Sequence, residues 1–124
     1  MNQALINTIV GLFFSLFVVS LQADEAISTT VENLYKEKTS LNGKLVKLQG
    51  KVVKVNNEIL QRNFLHLQDG TGSEADGTDD ITITSKETAN VGDQVTVTGT
   101  LVLDHDFGAG YKYPMLVEKA SISH

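Results

Sequence analysis

Cysteine and tryptophan are absent from this 124-residue chain, and proline occurs once. Without a thiol there is no disulfide framework, no thiolate metal site, no covalent haem attachment and no cysteine nucleophile. A basic excess is also missing: 15 acidic residues stand against 10 basic ones, a net charge of −5 at neutral pH. A field of that sign repels phosphate backbones at long range, which counts against a general nucleic-acid binder. Catalytic motifs are lacking too. No serine is framed as a nucleophile elbow, and no phosphate-cradling or dinucleotide glycine loop joins a strand to a helix. No carboxylate pair has a spacing that fixes acid and base roles. The chain reads as non-enzymatic, with no cofactor expected.

Charge is missing locally as well. Met1–Ala23 carries no charged side chain, and Ile9–Leu21 is almost wholly apolar. That run is short for a bilayer span, which needs ~20 residues. It ends at a small residue followed by Asp24 and Glu25. This is the profile of a secretory signal peptide over residues 1–23, with cleavage expected after Ala23. A periplasmic or secreted protein with no stable membrane span follows from it. Residues 24–42 are expected to form a lead-in and helix, and residues 43–124 the folded domain.

What is present is mostly strand periodicity. Thr29-Thr30-Val31-Glu32 has the form of a capping box, with Thr29 as N-cap, and predicts a short helix over 30–38. Asn42-Gly43 marks a turn. Beyond it Val46, Leu48 and Gly50 alternate with polar residues, and Val53 and Val55 continue on the opposite parity. A phase flip beside a glycine predicts a β-bulge that bends one long strand. Further strands are expected at 64–68, 81–84, 95–103 and 115–122. Between them lie polar or glycine-rich loops at 56–63, 69–80, 86–93 and 104–113. Five strands, one of them strongly bent, predict a small mostly β barrel with a short N-terminal helix.

Three stretches sharpen that expectation. They are Gly43-Lys-Leu-Val-Lys-Leu-Gln-Gly50 running on to Val55, Phe64-Leu-His-Leu-Gln-Asp69-Gly-Thr-Gly72, and Val91-Gly-Asp93 running through Val95 and Val97 to Gly99. In this order they resemble the first, second and fourth strands of OB-fold domains. Together with Asp106-Phe-Gly-Ala-Gly-Tyr-Lys-Tyr-Pro114, they resemble small secreted bacterial OB-fold proteins that occur as stand-alone domains. The resemblance implies a five-stranded Greek-key barrel in the periplasm. Some of those proteins are similar to accessory proteins of respiratory or stress-response systems. OB folds bind on the outer face of their second and third strands, flanked by the one–two and four–five loops.

That address selects the candidate residues. Phe64, His66 and Gln68 lie on the expected second strand, and Phe107, Tyr111 and Tyr113 in the four–five loop. Lys47, Lys51 and Arg62 supply polar contacts, with Gln49 beside them. Aromatics placed in such a groove contribute ~1–3 kcal/mol per stacked base in nucleic-acid binders. Each has a plain alternative, a core ring at the barrel end or a lid packed over it. His66 and His105 are the candidate metal ligands, with Met115, Asp104 or Asp106 as possible companions. The acidic loop of Asp69, Glu74, Asp76, Asp79 and Asp80 lacks EF-hand spacing and reads mainly as a solvated turn. The expected function is a periplasmic binding module for a protein partner or small ligand. Single-stranded nucleic-acid binding and metal or haem handling are the alternatives.

Overall fold

The alternation at Leu45 and beyond becomes strand, and it sets the whole architecture of the computed structural model, which describes residues 25–124. The expected signal peptide at 1–23 lies outside the described residues. The elements are β1 (Ile27–Ser28), α1 (Val31–Lys36), α2 (Lys38–Leu41), β2 (Leu45–Ile59), β3 (Arg62–Gln68), β4 (Ile81–Ser85), β5 (Gln94–Asp106) and β6 (Lys112–Ser123). The protein is mostly β, with six strands in one mixed sheet, not the five expected. The extra strand is the two-residue β1, which pairs parallel to β2 through Ile27 and Val46. Two residues before a helix are too short to show a period, so the sequence gives no signal for it. Among the described residues no helix is long and apolar enough to cross a membrane.

The fifteen residues of β2 serve two neighbours. Leu45 to Lys51 pair antiparallel with β5, and Lys51 to Ile59 pair antiparallel with β3. Lys51 is the switch, opposite Gln68 on one side and Gln94 on the other. Pairing therefore runs β2-β3-β4-β6-β5 and returns to β2. The phase flip occurs as expected but later: Val46, Leu48, Gly50 and Val52 all face the core, and the ladder slips between Val52 and Lys54. Gly50 has a different task. A Cβ there would lie 2.6 Å from the Gln68 carbonyl oxygen, so β2 and β3 cross at a distance only glycine permits.

Inside the circuit pack Val46, Leu48, Val52, Leu65, Leu67, Ile81, Ile83, Val97, Leu101 and Val117, all at most 2% exposed. Each such side chain contributes about 1.5–3 kcal/mol of burial. Val31 and Leu34 of α1 and Leu41 of α2 belong to the same core, so the helical segment packs against the sheet.

The helix starts one residue later than the capping box predicts. Thr30 is the N-cap, its side chain accepting from Asn33 N at 3.1 Å. Thr29 instead accepts from the Asn33 side chain. Glu37, at φ −108°, breaks the expected single helix in two.

Two loops are shorter than expected. The polar segment 56–63 is mostly strand, and only Leu60 and Gln61 turn between β2 and β3. Both have positive φ, 53° and 66°, as a two-residue hairpin turn demands. Leucine and glutamine are unusual there, which hid the hairpin. Likewise β5 and β6 extend to Asp106 and from Lys112, leaving only residues 107–111 as the connection. Pro114 sits within β6 and does not end a loop.

Candidate functional site

Strand parity places Leu65 and Leu67 in the core and sends Phe64 to the other face of β3. Phe64 is nevertheless 3% exposed, although it stands apart from the main core cluster. The β5–β6 hairpin accounts for this. Its strands run on in register through His105 opposite Tyr113 and Asp106 opposite Lys112. At the tip Phe107 N donates to Tyr111 O at 2.8 Å, and Tyr111 N to Gly108 O at 2.9 Å. Gly108 and Gly110 adopt φ of 87° and 86°, which lets so short a connection reverse. The Asp106 carboxylate accepts from Gly108 N and fixes the turn.

The tip lays its rings against Phe64. Tyr113 stacks on it at 5.6 Å between centroids, Phe107 meets it edge-on at 5.4 Å, and Tyr111 lies tilted at 6.1 Å. Phe107 also meets Tyr113 edge-on at 6.0 Å and His105 at 4.2 Å. Aromatic pairs of this kind add about 0.5–1.5 kcal/mol each beyond burial. The Arg62 guanidinium lies 4.7 Å from the Phe107 centroid, and its other partner is Glu118 at 3.7 Å. One cation therefore joins the aromatic set to β6.

The outer edge of this cluster is open. Tyr111 is 36% exposed, whereas Phe107 and Tyr113 are half-buried. Burial, and secondarily the nearby Tyr111, push the Tyr113 hydroxyl pKa up. The hairpin also borders a groove of about 370 Å³ lined by Asp104, His105, Asp106, Lys112, Tyr113 and Pro114.

Of the residues selected from sequence, Arg62, Phe64, Phe107, Tyr111 and Tyr113 come together. The others do not join them. His66 Nδ1 and the Asp80 carboxylate share a hydrogen bond of 2.8 Å, while the Tyr35 hydroxyl donates to the Asp80 carbonyl. His66 thus ties β3 to the end of the 69–80 loop and to α1. Gln68 stands opposite Lys51 in the ladder. Lys47 lines a separate groove with Gln49, Thr30, Asp69 and Thr71. His66 and His105 have different neighbours, and no group of three or more His, Asp or Glu residues suited to a metal ion occurs among the described residues.

The acidic loop has a structural task. Asp69 Oδ2 accepts from Val31 N at 2.9 Å, and Thr71 Oγ1 accepts from Glu32 N at 2.9 Å. Asp69 Oδ1 also accepts from Thr71 N at 3.1 Å. The Asp-Gly-Thr stretch therefore satisfies free donors at the start of α1, which the helix itself leaves unpaired. Two site residues escaped the sequence reading in their actual roles. His105 acts as part of the aromatic set, and its place opposite Tyr113 in a hairpin was the available signal. Glu118 is drawn in only by the pairing of β6, which no local pattern reveals.

The sequence matches no family model, and no curated protein matches it. The fold is similar to part of a crystal structure from Leishmania major Friedlin assigned as an aspartyl-tRNA synthetase. The TM-score is 0.52, at 15% identity over 85% of this chain. The chain spans 22% of the length of that protein. At such identity the likeness concerns the fold alone.

Proposed function

We propose that this protein is an exported, non-enzymatic binding module that engages a protein partner through the aromatic tip of its β5–β6 hairpin. On this reading the closed circuit β2-β3-β4-β6-β5 is a five-stranded OB-fold Greek-key barrel, with β1 an addition beside β2. The protein then belongs with the small secreted bacterial OB-fold proteins that its motifs resemble. The charge-free apolar stretch Met1–Ala23 supports export to the periplasm.

The observation that carries the reading is the hairpin itself: Phe107, Tyr111 and Tyr113 gathered over Phe64, with Arg62 against Phe107. Aromatic side chains and arginine are the residue types that dominate protein interfaces. On the OB-fold reading they fall at the position where such folds bind. The inner ring, Phe64, is already covered, so a planar ligand has no free stacking platform on it. What the tip leaves exposed is Tyr111, with Phe107 and Tyr113 half-buried beside it, an aromatic surface suited to a pocket on another protein.

Affinity capture from a periplasmic extract tests this, comparing the wild-type chain with Tyr111→Ala. The expected result is a specific bound protein that Tyr111→Ala loses while its melting temperature stays within about 2 °C of wild type. Retention of the same protein by Tyr111→Ala would contradict the proposal.

A further inference from the structure

A second feature of the molecule shares only Arg62 with the aromatic tip. Gln61, Arg62, Thr84, Ser85, Lys86, Glu87, Lys119 and Ala120 border a groove of about 530 Å³ where β3 begins, β4 ends and β6 bulges. A chain of net charge −5 places three of its 10 basic residues around this one groove. We propose that the groove is a binding site for a small soluble polyanion, one presenting two or three carboxylate or phosphate oxygens. The groove shares Arg62 with the hairpin surface, but the inference does not need the protein-binding reading of that surface.

The fold fixes the Arg62 guanidinium and the backbone that carries the two lysines. Arg62 is fixed from both sides, by the Phe107 ring at 4.7 Å and the Glu118 carboxylate at 3.7 Å. Lys86 rides on a turn that is tied down along its length. Asn63 Nδ2 donates to the Glu87 carbonyl at 3.0 Å, Glu87 N donates to Ser85 Oγ at 2.9 Å, and Ser85 Oγ donates to the Ala120 carbonyl at 2.6 Å. Lys119 is turned outward by backbone geometry. It adopts φ 54° in the middle of β6, where the ladder to β4 slips between Ile83 and Ser85. Its N–H donates to Thr84 Oγ1 at 3.3 Å. Glu118 and Ala120 on either side are buried, so the bulge presents the lysine alone. A left-handed conformation is disfavoured for lysine, and such positions concentrate at functional sites.

The acidic neighbours are already engaged. Glu118 pairs with Arg62, and Glu87 Oε1 accepts from Ile122 N at 2.8 Å. Among the described residues no ion pair joins either carboxylate to Lys86 or Lys119, and three cations stand against these two anions. Gln61 adds a neutral polar group at the rim. The volume falls within the roughly 300–1,000 Å³ usual for small-molecule pockets, which favours a compact ligand.

The test is an amide-resolved NMR titration of the exported chain with citrate, with inorganic phosphate, and with sodium chloride at matched ionic strength. Saturable shifts centred on Arg62, Ser85, Lys86 and Lys119, produced by citrate or phosphate but not by chloride, are expected. Which of the two saturates at lower concentration assigns the oxyanion. Lys86→Gln and Lys119→Asn should each weaken the binding about two- to fivefold, asparagine being chosen because it tolerates the left-handed conformation. Shifts that stay linear, match those of chloride, centre elsewhere, or survive both substitutions unchanged would overturn the proposal.

Discussion

Tyr113 stacks on Phe64 with centroids 5.6 Å apart and planes 28° apart, and this contact joins the hairpin tip to β3. It makes Phe64 a support and leaves Tyr111 as the exposed ring. The two therefore differ in what their loss does. Phe64→Ala should destabilise the protein by about 3 kcal/mol, at the lower end for a buried phenylalanine because the rings above it can settle inward. Tyr111→Ala should change stability by less than about 1 kcal/mol. Urea unfolding of both variants checks the contrast.

Alkaline titration probes the same contact. Burial raises the hydroxyl pKa of Tyr113, and burial with the nearby Asp80 and Asp79 charges raises that of Tyr35. Both therefore hold their protons more tightly in the folded chain. Stability is unaffected below the ordinary tyrosine value of about 10 and falls as pH rises through the folded values. An ultraviolet absorbance titration should show two tyrosines ionising late. Tyr113→Phe should remove one of those steps and leave the other.

Asp69 reaches back to the helix that precedes it in sequence, accepting from Val31 N at 2.9 Å. Asp69→Ala should cost about 1–2 kcal/mol, the range for losing a helix cap. Hydrogen exchange should localise the loss. Protection should fall first in α1 and in the 69–80 loop, with the strands of the core little changed.

The turn at Leu60 and Gln61 carries a cost that the chain retains. Both residues occupy positive φ, where ordinary side chains lose about 1–2 kcal/mol relative to glycine. The double substitution Leu60→Asn with Gln61→Gly should raise the melting temperature by several degrees. Differential scanning calorimetry measures it directly.

That turn also explains where the sequence was hard to read. Alternation exposes strands, so Val46, Leu48, Ile81, Ile83, Val95 and Val97 were legible as core residues. The bulge in β2 was legible from its parity change, although Gly50 marks a close crossing and the slip lies at Val52–Lys54. Hairpin ends were not legible, because Leu60-Gln61 lacks turn chemistry and Gly108 and Gly110 made the β5–β6 loop look longer than it is. For the candidate site, the grouping of the aromatics was legible, since ring-bearing residues are few and clustered, and the structure brings Phe64, Phe107, Tyr111 and Tyr113 together. Lys47 and Lys51 lie apart from that group. Lys47 and Lys51 share β2 with the core-facing valines, but strand parity alone does not tell which outer groove each one borders. Asp69 was grouped with a solvated turn because a cap formed across 38 residues leaves no local pattern.

The most direct measurement of the central claim is site-specific photocrosslinking in living cells. A benzophenone side chain would replace Tyr111 in one variant and Val91, which is 64% exposed, in a control. Binding through the hairpin tip predicts a discrete covalent adduct with one protein from position 111 and none from position 91. No adduct at 111, or the same adducts from both positions, would contradict it.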